Sequence, residues 1–170
     1  MQGGYSLMAF KSKVLLVDDE EIIRDSLSEW LESDGFSVIT AENGMEALKK
    51  YDTEQPVVAV VDIKMPGMDG VTLLKKLKEK NRELPVIIMT AFATVENAVQ
   101  SMKDGAYDFI CKPFPPEKLS NLLSHILEHQ DLQRENVKLQ KERKHILHIA
   151  ITALVSFMVL MVLIYLLAIR

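Results

Sequence analysis

A single cysteine, Cys111, stands among 170 residues, which excludes an internal disulfide and suits a reducing compartment. It has no cysteine partner for a metal site, and its neighbours Phe109 and Ile110 read it as a structural thiol on a strand. Basic excess is missing too: the net charge is −4, so the electrostatic footprint of a nucleic-acid binder is absent and no nucleic acid is expected. Gln2 stands where N-myristoylation requires glycine. Met1–Phe10 lacks the long apolar core and cleavage site of a secretory signal, so residues 1–11 read as a disordered tail, with Met8 an alternative start. Proline and glycine, scattered through the first two thirds, do not occur between Glu117 and Arg170.

What that last stretch holds instead is apolar. Ile149 to Ile169 is a run of 21 residues without a charge. As a helix it would be about 31 Å long, close to the hydrocarbon thickness of a bilayer. Being apolar on every side, it cannot lay one stripe on a domain and leave the other face wet. Lys138, Lys141, Arg143 and Lys144 precede it, which the positive-inside rule keeps cytoplasmic, while Tyr165 and Arg170 suit the far interface. Residues 146–170 are therefore expected to anchor the chain in a lipid bilayer, a single pass through the inner (cytoplasmic) membrane with the preceding domain in the cytoplasm.

Upstream, five short apolar runs alternate with helical patterns, as in a parallel sheet with crossover helices. The runs are Val14–Val17, Ser37–Thr40, Val57–Val61, Val86–Met89 and Tyr107–Cys111. Between them, helical spacing groups Ile22, Ile23, Ser26, Leu27, Trp30 and Leu31; then Met45, Leu48 and Tyr51; then Val71, Leu74 and Leu77; then Val95, Ala98, Val99 and Met102. Gly35 and Gly105 are placed to end the first and fourth helices. The fifth begins near Pro115-Pro116 and continues into the apolar run. A heptad through it puts Leu122, His129, Asn136 and Arg143 at a, and His125, Leu132, Leu139 and Ile146 at d. Asn136 among the leucines is compatible with a parallel homodimer, although His125, His129 and Arg143 weaken the seam. The domains expected are 12–128, a helical linker with coiled-coil character at 129–145, and the anchor at 146–170.

The polar groups that matter fall where strands end. Asp18 and Asp19 follow the first run and Asp62 ends the third, and in a parallel α/β sheet the carboxyl edges converge on the ligand crevice. Three carboxylates gathered there repel one another, and a hard cation is the usual remedy. Mg²⁺ fits best, because it takes few carboxylates and binds phosphate oxygens. Thr90 after the fourth run and Lys112 after the fifth add a hydroxyl and an ammonium, a set suited to phosphoryl chemistry.

With these residues in view, the chain resembles a receiver domain of a two-component response regulator of the CheY-like family. The motifs are Val17-Asp18-Asp19, the stretch from Asp62 through Pro66 to Gly70, Thr90-Ala91, and Phe109 through Lys112-Pro113-Phe114. They cover about Lys13 to Leu127, and Ala93–Phe114 is most similar to the receivers of nitrogen-regulation-type activators. The resemblance implies a flavodoxin-like five-stranded parallel sheet of order 2-1-3-4-5. It implies that Asp62 accepts a phosphoryl group from a sensor histidine kinase. Asp19 and Asp62 would ligate Mg²⁺ directly, Asp18 through water, and the Lys64 backbone carbonyl would add an oxygen. Lys112, joined to Pro113 by a cis bond, would neutralise a phosphoryl oxygen; Thr90 would turn toward the acyl phosphate and Phe109 inward behind it. Lys64 and Phe92 would flank the phosphoryl group. An unidentified output protein would read the face formed by the fourth and fifth helices and the fifth strand. Such a chain is a signalling phosphoacceptor, not a conventional enzyme. The alternatives are a dimeric membrane scaffold that uses the fold without phosphorylation, a phosphate sink without an output partner, and a haloacid-dehalogenase-like phosphatase. The last is disfavoured because its nucleophile follows the first strand in an Asp-x-Asp pattern.

Overall fold

A computed structural model describes residues 12–91 and 95–169, with the side chains of 95–97, 134, 136–137, 145–147, 150 and 153–168 outside the description. Strands and helices alternate in the order β1 (Lys13–Val17), α1 (Glu21–Ser33), β2 (Ser37–Ala41), α2 (Gly44–Glu54), β3 (Val58–Asp62), α3 (Gly70–Lys80), β4 (Val86–Thr90), α4 (Val95–Lys103), β5 (Asp108–Cys111) and α5 (Pro116–Ala168). The strands form one sheet, parallel throughout as the alternating pattern predicts, in the order β2-β1-β3-β4-β5 that the resemblance implies. The chain divides into two compact units, Met1–Leu127 and Glu128–Arg170.

Strand alternation sorts the core of the first unit into two layers. Leu15, Val17, Ala59, Val61, Val86 and Ile88 face one side, where they meet Tyr51 of α2 and Leu73, Leu74 and Leu77 of α3. Val14, Leu16, Val58, Val60, Ile87 and Met89 face the other, against Leu27 and Leu31 of α1 and Leu119, Leu123 and Ile126 of α5. Each fully buried Leu or Ile contributes about 1.5–3 kcal/mol relative to exposure, and the central strands β1, β3 and β4 are buried on both faces. With both faces occupied, the polar chemistry is confined to the sheet's carboxyl edge.

Caps fix where the helices begin. Asn43 accepts the Glu46 N–H at 2.9 Å while the Glu46 carboxylate accepts the Glu42 N–H at 2.9 Å, a reciprocal lock on the first turn of α2. Asp69 accepts the Thr72 N–H at 2.7 Å and so starts α3. Gly35 and Gly105 follow α1 and α4 with φ of 94° and 95°, ending them as expected.

Several of the residues grouped by helical spacing face water. Ile22 is 85% exposed and Met45 68%, Ser26 is exposed, and Val99 and Met102 are each about half exposed. The inward stripe of α1 runs through Leu27 and Leu31, one turn apart, and Ile22 sits in the first turn outside it. Among the described side chains of α4 the buried one is Ser101. Cys111 lies on a strand as expected but is exposed, because β5 is the edge of the sheet and Cys111 its last residue.

In the second unit the helix continues from Glu128, and Leu132 and Leu139 are 54% and 51% exposed. Among the described residues no helix is long and apolar enough to cross a membrane. The anchor expected at 146–170 falls largely on side chains 153–168, outside the description, as do the side chains of Asn136 and Ile146 in the expected heptad. The expected tail 1–11, Phe92 and Arg170 lie outside the described residues as well.

Candidate functional site

Asp18 is the first residue past β1 and Asp62 the last of β3, and neighbouring strands bring their carboxylates to one place. Asp18 is fully buried and Asp62 is 6% exposed. Lys112, just past β5, inserts its ammonium between them, at 2.6 Å from Asp18 Oδ2 and 2.8 Å from Asp62 Oδ1. Its own N–H donates to the carbonyl of Thr90 at 2.8 Å, which ties the ends of β4 and β5 together. Thr90 is buried at the end of β4. The Lys112–Pro113 bond is cis, as the sequence motif implied.

The remaining oxygens of the pair are also engaged. Asp18 Oδ1 accepts the Glu20 N–H at 3.0 Å, and Asp62 Oδ2 accepts the Lys64 N–H at 2.7 Å. Arg24 donates to the Asp18 carbonyl at 2.8 Å, a contact the sequence reading missed. Its signal would have been a cation one turn into α1, on the side that faces back toward the strand end. Lys64 enters the site through its N–H.

Burial pushes the Asp62 carboxyl above the ordinary range; the Lys112 hydrogen bond works in the opposite direction without overcoming it. For Lys112, burial favours the neutral amine, but the hydrogen bonds to Asp18 and Asp62 outweigh it and hold the ammonium above its ordinary value. The ammonium of Lys112 is thus retained between the two carboxyl groups.

Asp19 does not join it as a third buried carboxylate. Among the described residues no cluster of three metal-binding side chains is gathered; Asp19 is exposed and lines a cavity of about 780 Å³ with Glu42, Asn43, Pro66 and Met68. A side chain just past the strand end turns to the rim when its neighbour Asp18 takes the inward position. Phe109 is partly buried against the layer that holds α2 and α3. Two carboxylates and one ammonium leave the buried pair with an excess negative charge, and every side-chain acceptor is oxygen. That donor set fits a hard divalent cation.

The family model of the response regulator receiver domain matches residues 14–124, and the chain belongs to that family. Receiver domains of response regulators accept a phosphoryl group and interact with histidine kinases. The chain is 40% identical over 128 residues to the DNA-binding transcriptional regulator NtrC of Escherichia coli, a match covering 74% of this chain and 27% of that protein. It is 43% identical over 132 residues to a putative NtrX-like response regulator of Rickettsia bellii, covering 76% and 27%. Among solved structures, NtrX of Brucella abortus matches with a TM-score of 0.71 and 35% identity, over 77% of this chain and 30% of that one. A CheY-like receiver domain protein of Methanospirillum hungatei matches with a TM-score of 0.69 and 34% identity, over 72% and 98%. The chain thus spans 27% of the length of these curated relatives.

Proposed function

We propose that this chain is a membrane-held phosphoacceptor of a two-component relay, with Asp62 the residue that takes the phosphoryl group. The observation that supports it most is the buried Asp18–Lys112–Asp62 arrangement at the sheet's carboxyl edge. A carboxylate oxygen of Asp62 would bond to the phosphorus of a kinase phosphohistidine as the phosphorus–nitrogen bond breaks, the electron pair leaving with the imidazole. Lys112 would neutralise a phosphoryl oxygen as a compact point charge. Asp62 would hold Mg²⁺ directly and Asp18 through water, with Asp19 turning in from the rim as a further ligand, and the ion when bound supplies positive charge beside the phosphoryl oxygens. Thr90 would then donate its hydroxyl to the acyl phosphate and Phe109 would repack, the local change that a phosphorylation switch passes to its surface. The exposed Val99, Met102 and Tyr107 supply an apolar face for an output protein. The only chemistry required is transfer to, and hydrolysis from, its own carboxylate.

Bilayer anchoring is supported by the sequence, through the uncharged run Ile149–Ile169 behind four cations. Leu132 and Leu139, seven apart and exposed, support a parallel second copy along the linker. The test is labelling of the full chain in detergent by acetyl phosphate with Mg²⁺. Label is expected on the natural chain and lost in Asp62→Asn, and label persisting in that variant contradicts the assignment.

A further inference from the structure

Gly70 opens α3 directly against the main chain of Asp62. A methyl group on its α-carbon would overlap the Asp62 carbonyl oxygen outright, and would lie 2.9 Å from both the Asp62 carbonyl carbon and Ile63 Cα. These are backbone atoms, which cannot swing aside as a flexible side chain does. The Gly70 N–H donates to the Ile63 carbonyl at 2.8 Å, and Asp69 fixes the same turn by accepting the Thr72 N–H at 2.7 Å. Conformational freedom is not what this glycine provides. Gly67, three residues earlier, has a φ of 79° and open space where a β-carbon would sit, whereas Gly70 has no positive φ and no space.

We infer that the first turn of α3 is a positioning element for the phosphoacceptor: Gly70 lets the helix seat against Asp62 and Ile63, and Asp69 locks that turn. The inference rests on the reading of Asp62 as acceptor. From the other side, β4 holds the same segment through the Ile63 N–H, which donates to the Met89 carbonyl at 3.0 Å. Clamped between strand and helix, the Asp62 carboxylate meets both Lys112 Nζ and the Lys64 N–H. A methyl at position 70 must push one side of this clamp away, and in-line attack on phosphorus is sensitive to such displacement.

The experiment uses the full chain in detergent with Mg²⁺ and acetyl phosphate. In that reaction an Asp62 oxygen bonds to phosphorus while the bond to the acetate oxygen breaks and acetate leaves. Rates are measured against acetyl phosphate concentration and scaled to the folded fraction from circular dichroism. For Gly70→Ala the maximal rate is expected to fall by about tenfold or more with little change in half-saturation. Gly67→Ala, although strained, is expected to keep its rate within about twofold because nothing presses on Asp62. Asp69→Ala is expected to slow labelling several-fold and Asp69→Asn, which can still cap, to restore it. A folded Gly70→Ala chain labelled at the natural rate overturns the inference. Should Gly70→Ala not fold, equal and natural rates for Asp69→Ala and Asp69→Asn overturn it instead. If the natural chain takes no label, the acceptor reading itself fails and this inference falls with it.

Discussion

Asp62 and Lys112 are bound in one geometry but respond differently to pH. The Asp62 carboxyl is raised by burial, so its contribution to stability is present below the ordinary carboxylate range and is lost as pH rises through the raised value. At neutral pH and without divalent cations, Asp62→Asn is therefore expected to raise the unfolding midpoint, and the gain should vanish on acidification below the ordinary carboxylate range. Chemical denaturation of both chains across that window checks the sign. Lys112 is raised by its two carboxylate partners against the pull of burial; its contribution is full below the ordinary lysine value and is lost as pH climbs through the elevated one. Lys112→Met leaves two buried carboxylates without a cation, and is expected to cost about 3–5 kcal/mol at neutral pH in metal-free buffer. Most of that loss should return on acidification. A variant as stable as the natural chain at neutral pH would mean that the ammonium does not compensate the pair.

At the scale of elements, the caps show how local chemistry sets the frame of the site. Asn43→Ala removes the acceptor for the Glu46 N–H and is expected to cost about 1 kcal/mol, with Asn43→Asp close to neutral. Equal denaturation midpoints for all three chains would contradict the capping account. The parallel sheet and its two covered faces were legible beforehand, because three of the β-runs are apolar almost throughout and their separations fit crossover helices; the strand order came from the resemblance to receiver domains. Asp18, Asp62, Thr90 and Lys112 were legible for the same reason: each ends a strand, and parallel strands end on one side. Less legible was which residues of a helix face inward. Ile22 and Met45 fit a 3.6-residue stripe by type yet lie in first turns outside the stripe the sheet covers. Gly70 was readable only as a turn residue, since nothing in its spacing reveals that the Asp62 carbonyl lies against it.

The whole molecule combines a receiver unit, built on two apolar layers either side of one sheet, with a helical second unit. The uncharged run of Ile149–Ile169 has the length and the cationic flank of a bilayer anchor. Membranes from cells that make the full chain are expected to retain it through an alkaline carbonate wash, and removal of residues 149–169 should release it to the supernatant. Release of the full chain by the wash would overturn the anchor. The heptad supports a parallel pair only where Leu132 and Leu139 meet a second copy. Crosslinking in detergent should accordingly fall for Leu132→Glu with Leu139→Glu, and an unchanged crosslinking yield would remove this seam as the contact.

The central claim concerns one carboxylate, and reductive trapping reads it directly. Borohydride converts an aspartyl phosphate to homoserine, so the full chain is treated with acetyl phosphate and Mg²⁺, reduced, digested and sequenced by mass spectrometry. Homoserine is expected at position 62, with Asp18 and Asp19 intact. Homoserine at either of those two, or at no aspartate, would contradict the account.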